Sequence, residues 1–210
     1  MATEPGPDAF TRRSFLKGAG GVAAGGVVGR ALAESAQDED VRVLSGPTTL
    51  ELSINGRTAQ VTAEPRTTLL AALRDRLEPP LTGAKLVCDH GSCGACTVHL
   101  DGRPVLACMV LAADAVGHEV TTVEGLAPDG ELTPLQEAFC EHDALMCGFC
   151  TPGFVMALHP AASAGAGDKA LLEACSGNLC RCGTYPQIQQ AARAASRAAR
   201  GPAQPRTEER

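Results

Sequence analysis

The sequence predicts an α+β fold in which a small β-rich domain precedes a helical one. Two observations predict it. Apolar residues alternate with period two from Thr48 and then, after Gly125, recur every three to four residues. The ten cysteines divide at the same place, four before Gly125 and six after it. A chain of 210 residues can bury one or two cores without covalent staples. With five Phe, one Tyr and no Trp, those cores must be filled by Ala, Leu and Val. The net charge of −6 argues against a nucleic-acid partner.

The first segment reads as an address. Arg12-Arg13 followed by Phe15-Leu16-Lys17 matches a twin-arginine export signal, and Ala31-Leu32-Ala33 supplies an A-x-A cleavage site. The uncharged run over 18–29 has 12 residues, short of the ~20 needed to span a bilayer, so no stable membrane span is expected. Gly18, Gly20 and Ala23 imitate a dinucleotide loop, but no strand precedes them. The expected division is a signal peptide over 1–33 and an acidic linker over 34–46. Twin-arginine export carries folded proteins, so the thiols are expected to meet their cofactor in the reducing cytoplasm before delivery to the periplasm.

The β-rich domain is expected over 47–124. Leu50, Leu52 and Ile54 alternate, Asn55-Gly56 turns the chain, and Val61 lies on the returning strand. A short helix puts Leu69 or Leu70, Leu73 and Leu77 on one face and is stopped by Pro79-Pro80. A cysteine- and glycine-rich loop follows, then a hairpin turning at Asp101-Gly102 and a late strand in "HEVTTVEGL". Hairpin, helix, loop, hairpin, strand is the order of a β-grasp domain.

Within that loop Cys88, Cys93, Cys96 and Cys108 are spaced C-x4-C-x2-C-x11-C, the plant-type spacing for a 2Fe–2S cluster. Four thiolates must converge on two irons, and Gly91 and Gly94 permit the backbone angles such a wrap needs. Cys88-x-His90 and Cys96-x-x-His99 imitate Rieske pairs, but only five residues separate His90 from Cys96, and Cys93 and Cys108 would go unused. His90 reads as a polar loop residue at the cluster edge.

A helical domain is expected over 125–200, with a disordered tail over 201–210. Thr133-Pro134-Leu135-Gln136 is a capping box with proline at the first helical position, and Leu135, Ala138, Phe139, His142 and Leu145 follow at helical spacing. Thr151-Pro152 is expected to cap and start a second helix that His159-Pro160 ends. Asp168 is expected to cap a third helix running through Cys175, and a fourth runs from Gln187 to Arg200. Cys147 and Cys150 then lie at one helix connection, Cys180 and Cys182 at another. On its own a Cys-x-x-Cys pair fits a disulfide, a zinc knuckle, a redox pair or an iron–sulfur ligand pair. Taken with the C-x-C pair, which is unusual for zinc, the four thiolates favour a second 2Fe–2S cluster, with structural zinc as the alternative. Cys140 and Cys175 remain; buried free thiols are the expectation, and a disulfide between them the alternative.

"CDHGSCGACTV", "CGFCTPGFVM" and "SGNLCRCGTYP" together resemble the small iron–sulfur subunit of the molybdenum hydroxylases, the xanthine dehydrogenase and aldehyde oxidoreductase family. The resemblance covers roughly Thr48 to Ala195. It implies a ferredoxin-like β-grasp domain and a four-helix domain, each holding one 2Fe–2S cluster. It also implies partner subunits: a large molybdopterin-binding one, met by the helical domain near Cys147, and an FAD-binding or cytochrome acceptor. The implied function is electron transfer during oxidation of aldehydes or N-heterocycles, with no substrate chemistry on this chain. Many relatives have Gln before the first helical-domain cysteine, where its amide contacts the pterin; here Met146 stands there, whose thioether cannot donate. Twin-arginine export is similar to that of periplasmic three-subunit aldehyde oxidoreductases. The Gly-rich loop around Cys93 reads as exposed and the Cys147 and Cys180 connections as buried between helices. Two other classes stay open: a free-standing double-cluster ferredoxin, and an iron-free, disulfide-stapled periplasmic binding module.

Overall fold

In the computed structural model, which describes residues 44–127 and 129–201, two matched turns frame the sheet. The expected signal peptide, most of the linker and the tail after Gly201 lie outside the described residues. Asn55-Gly56 and Asp101-Gly102 all have positive φ, between 50° and 76°, as a two-residue type I′ hairpin requires. The first joins β1 (Thr48–Ile54) to β2 (Arg57–Ala63), the second β3 (Thr97–Leu100) to β4 (Arg103–Leu106). Both turns also hold the short strand β5 (Glu119–Thr121). Asn55 Oδ1 accepts from Thr122 N at 2.8 Å, and Asp101 Oδ1 accepts from Glu119 N at 2.9 Å.

The mixed sheet has the order β2-β1-β5-β3-β4, with β1 and β5 parallel and the other neighbours antiparallel. Pro104 lies on β4, at the edge, where its missing N–H breaks no ladder. The period-two residues Leu50, Leu52, Ile54, Val61, Val98 and Val120 form one buried face. Against it packs α1 (Leu69–Ala71), continued by a wider π-helical turn over Ala72–Arg76. Leu69, Leu70 and Leu73 are fully buried there, so the expected helix face is the one the core receives.

A second apolar cluster is built by α2 (Pro134–Glu141), α3 (Thr151–Ser163), α4 (Asp168–Ala174) and α5 (Tyr185–Arg200). The Thr133 capping box forms as expected: Thr133 Oγ1 accepts from Gln136 N while Gln136 Oε1 accepts from Thr133 N. The described residues form one compact unit, so both clusters belong to one body.

Several boundaries differ from expectation, each for a local reason. Helix α2 stops at Glu141, because Asp143 turns left-handed at φ 50° and Ala144 N donates to Phe139 O at 2.9 Å. This is a Schellman stop with Asp in place of the usual glycine, and it buries Ala144 and leaves Leu145 exposed. Helix α3 runs through Pro160 to Ser163 and is closed by Gly165 at φ 65°. Thr151 is its first residue, not its cap; that position belongs to Cys150. Asp168 is likewise the first residue of α4, and its carboxylate pairs with Arg193 Nε on α5 at 3.2 Å. Helix α5 starts two residues early, at Tyr185. Among the described residues no helix is long and apolar enough to cross a membrane.

Candidate iron–sulfur sites

The first cysteine set is shaped by backbone hydrogen bonds around a tight loop. Arg74 Nη1 donates to Thr82 O and Ala84 O at 3.1 and 2.8 Å, and Lys85 N donates to Ala95 O at 3.0 Å, which fixes both ends of the loop. Between them Asp89, Gly91 and Gly94 all take positive φ. The wrap turns amides onto sulfur: Ser92 N lies 3.3 Å from Cys88 Sγ. The His90 amide, first, then the Cys93 thiol and the Ser92 and Cys93 amides bring the Cys88 thiol down to about 6. Cys96 lies just before β3 and Cys108 just beyond β4, both buried. Burial, with Cys108 alongside, pushes Cys96 up to about 12. Cys93 is thus a neighbour of Cys88, and Cys108 and Cys93 are neighbours of Cys96.

Three of the second set, Cys147, Cys150 and Cys180, line a recess of ≈ 480 Å³ with Tyr185 and with Cys93 of the first set; the fourth, Cys182, is exposed and lies outside that lining. Gly148 at φ 76° bends the chain between Cys147 and Cys150. Burial, then the neighbouring Cys180, pushes Cys150 up to about 12. Burial alone would also raise Cys180; the Thr184 hydroxyl and amide, with the Cys150 thiol, bring it down to about 7. Its sulfur is 3.0 Å from Thr184 Oγ1, and its N–H donates to Tyr185 Oη at 2.8 Å.

These surroundings fit 2Fe–2S clusters. Cys96, Cys108 and Cys180 are buried, amide and hydroxyl donors lie beside Cys88 and Cys180, and the buried thiols need cationic iron to persist as thiolates. Among the described residues no three His, Cys, Asp or Glu side chains converge on one point as around a single ion. A binuclear centre takes two thiolates to each iron, so its four ligands need not converge on a single point.

The two sets are joined directly. Leu179 N donates to Cys93 O at 2.9 Å, and the buried Asn178 Nδ2 donates to Gly94 O, also at 2.9 Å. The approach needs two glycines. A Cβ on Gly94 would lie 2.6 Å from the Asn178 amide, and one on Gly153 would lie 2.4 Å from Gly94 O. Sequence reasoning missed Asn178, Thr184 and Tyr185. "SGN" read only as the end of a helix, and nothing local to "GTYP" puts one hydroxyl at the Cys180 sulfur and the other at the Cys180 amide.

Other expected residues fall as follows. His99 is buried and its Nε2 donates to Met156 O at 2.7 Å, which commits it away from iron. His90 is exposed and its Nδ1 lies against Cys88 O. Met146 is 68% exposed. Cys140 is exposed on α2, contrary to the expected burial, because it lies opposite the Leu135–Ala138–Phe139 stripe. Cys175 is half-buried, and both thiols are free. The exposure contrast between the sites also needs correction. Cys147 is exposed and Phe149 is 52% exposed, because the helices flank the recess without roofing it; Cys182 is exposed outside that recess, and Cys93 is only half-exposed.

Residues 55–147 match the family model for a 2Fe-2S iron-sulfur cluster binding domain and 122–193 that for a [2Fe-2S] binding domain. Residues 9–29 match the twin-arginine translocation pathway signal sequence. The chain is 45% identical over 152 residues to the caffeine dehydrogenase subunit gamma of Pseudomonas sp. (strain CBB1), covering 70% of this chain and 90% of that one. It is 38% identical over 202 residues to the aldehyde oxidoreductase iron-sulfur-binding subunit PaoA of Escherichia coli O157:H7, covering 88% and 87%. Among solved structures, quinoline 2-oxidoreductase from Pseudomonas putida 86 superposes with TM-score 0.68 at 39% identity, covering 74% of this chain and 98% of that chain. The aldehyde oxidoreductase from Desulfovibrio desulfuricans ATCC 27774 superposes with TM-score 0.66 at 38% identity, over 73% of this chain but 17% of that one.

Proposed function

This chain belongs to the small iron–sulfur subunits of the molybdenum hydroxylases, and from that premise we propose how its residues carry out electron transfer. Cys88, Cys93, Cys96 and Cys108 ligate one 2Fe–2S cluster in a β-grasp domain over 47–124. Cys147, Cys150, Cys180 and Cys182 ligate the other in a four-helix domain over 125–200. Gly91 and Gly94 shape the first loop. Bound at these sites, the clusters supply reversible one-electron transfer. The chain's own part is to hold the thiolates in pairs, to direct amides and hydroxyls at sulfur, and to fix the separation of the two sites.

The observation that carries this reading is the junction. Cys93 O accepts from Leu179 N, and Leu179 is covalently next to Cys180, so a single hydrogen bond links a ligand of each set. The donor of electrons is a molybdopterin-binding large subunit that oxidises an aldehyde or an N-heterocycle, and it docks where Cys147 and Met146 are exposed. Met146 offers no side-chain donor, so the Cys147 backbone makes the pterin contact. An FAD-binding or cytochrome subunit takes the electrons. The relatives named as subunits, caffeine dehydrogenase subunit gamma and the aldehyde oxidoreductase iron-sulfur-binding subunit, support separate partners. The twin-arginine match supports delivery to the periplasm.

Metal analysis and spectroscopy test the assignment. The purified protein is expected to hold about four irons per chain and, when reduced, to show two distinct paramagnetic signals. Cys93→Ala and Cys150→Ala each lose one signal, while Cys140→Ala and Cys175→Ala keep both. Zinc, or a single centre at full occupancy, rejects the ligand sets; purification without a molybdenum subunit rejects the partner.

A further inference from the structure

Thr184 occupies the cap position at the start of α5, where a threonine oxygen ordinarily accepts from an amide of the first turn. This one makes no such bond. Proline at 186 has removed one candidate amide, and the hydroxyl lies instead 3.0 Å from Cys180 Sγ. Both groups are buried, Thr184 at 6% exposure. A thiol and a hydroxyl can each donate to the other, but a thiolate bound to iron has no proton. The hydroxyl is then the donor and sulfur the acceptor. The Cys180 N–H is held by Tyr185 Oη at 2.8 Å, so the sulfur's position is fixed from its backbone side as well.

We propose that Thr184 sets the reduction potential of the second centre by donating a hydrogen bond to the Cys180 sulfur. The inference rests on Cys180 being a ligand. Reduction adds one electron and breaks no bond. The added negative charge is shared by the ligating sulfurs, so a fixed donor stabilises the reduced form more than the oxidised one and raises the potential. The first set has a different donor arrangement, backbone amides at Cys88, and is unaffected by a change at Thr184.

The test is a dithionite titration of the cluster-loaded full-length protein, followed by paramagnetic resonance of both centres. The signal missing from Cys150→Ala identifies the second. Thr184→Val keeps the shape and removes the donor. It is expected to make that centre about tenfold harder to reduce, a shift of ~59 mV to more negative potential for one electron, while the other centre stays in place. Thr184→Ser, which keeps the hydroxyl, holds the wild-type value. Should the valine variant fail to load, Thr184→Ala replaces it in the same comparison. Equal potentials with and without the hydroxyl overturn the proposal, as does loss of the second signal in both donor-free variants, which would assign Thr184 to assembly instead. Absence of two signals in the unmodified protein rejects the ligand sets rather than Thr184.

Discussion

Pro160 has no N–H, so the Met156 carbonyl four residues earlier loses its helical partner, and His99 on β3 supplies the replacement at 2.7 Å. The bond fixes the His99 tautomer, since a carbonyl can only accept and Nε2 must carry the proton. Replacing His99 by Leu leaves a buried carbonyl unpaired and is expected to cost about 1–3 kcal/mol in denaturant unfolding. The cost shrinks when Pro160→Ala restores an amide to the helix; equal costs in both backgrounds would show that the bond is not what matters. His159 adds a pH dependence. Burial, then the nearby His99, lowers its pKa below 6.5, and their rings lie 5.9 Å apart. Between its unfolded pKa and the lower folded one, the unfolded chain binds more protons. Stability is therefore full above about pH 6.5 and falls as pH drops through that window, and His159→Gln removes this part of the slope in unfolding curves read against pH. None of this was legible locally. A proline inside a helical pattern reads as a stop, and the donor that rescues the helix lies 57 residues away in sequence.

At the scale of elements, what was legible was whatever a few adjacent residues determine. The Asn-Gly and Asp-Gly turns, the Thr133 capping box and the plant-type cysteine spacing each contain their own physical cause. The stop of α2 did not, because Asp143 takes the left-handed position where glycine is the usual signal. The contact between the first cysteine loop and the start of α3 was also out of reach, since it joins Gly94 to Gly153 across two elements. That contact can be tested. Gly153→Ala puts a methyl 2.4 Å from the Gly94 carbonyl, against backbone that has no side chain to swing aside. Overpacking of this kind typically costs 1–3 kcal/mol, expected here as a lowered unfolding midpoint. Because Gly94 O also accepts from Asn178 Nδ2, the strain should reach the junction, and Asn178→Ala should cost less stability in this background than in the unmodified chain. Equal costs of Asn178→Ala in the two backgrounds would place the strain elsewhere.

For the whole molecule, the exposures set a direction that the cysteine pattern alone does not. In the isolated chain Cys147 and Cys182 face outward, with Phe149, Leu179 and Met146 as exposed apolar side chains at the same connections. A site that must keep its thiolates bound while facing a partner gains its cover from that partner, which argues for the second set as the entry point for electrons. Cys93 lies behind it, lining the same recess and bonded to Leu179, and Cys88 leads on to the exposed loop at Asp89 and His90. In the proposed function, electrons that enter at the second set would reach the first through the junction and leave the first set for an acceptor subunit. Cys96→Ala removes the first centre and is expected to leave substrate able to reduce the second, while turnover with the physiological acceptor collapses. Cys182→Ala removes the second and should stop substrate electrons from reaching the surviving first centre, although dithionite still reduces it. Rapid-freeze spectra of the assembled complex after mixing with substrate separate the two cases. Fast reduction of the first centre in Cys182→Ala would reverse the proposed order and detach the open recess from electron entry.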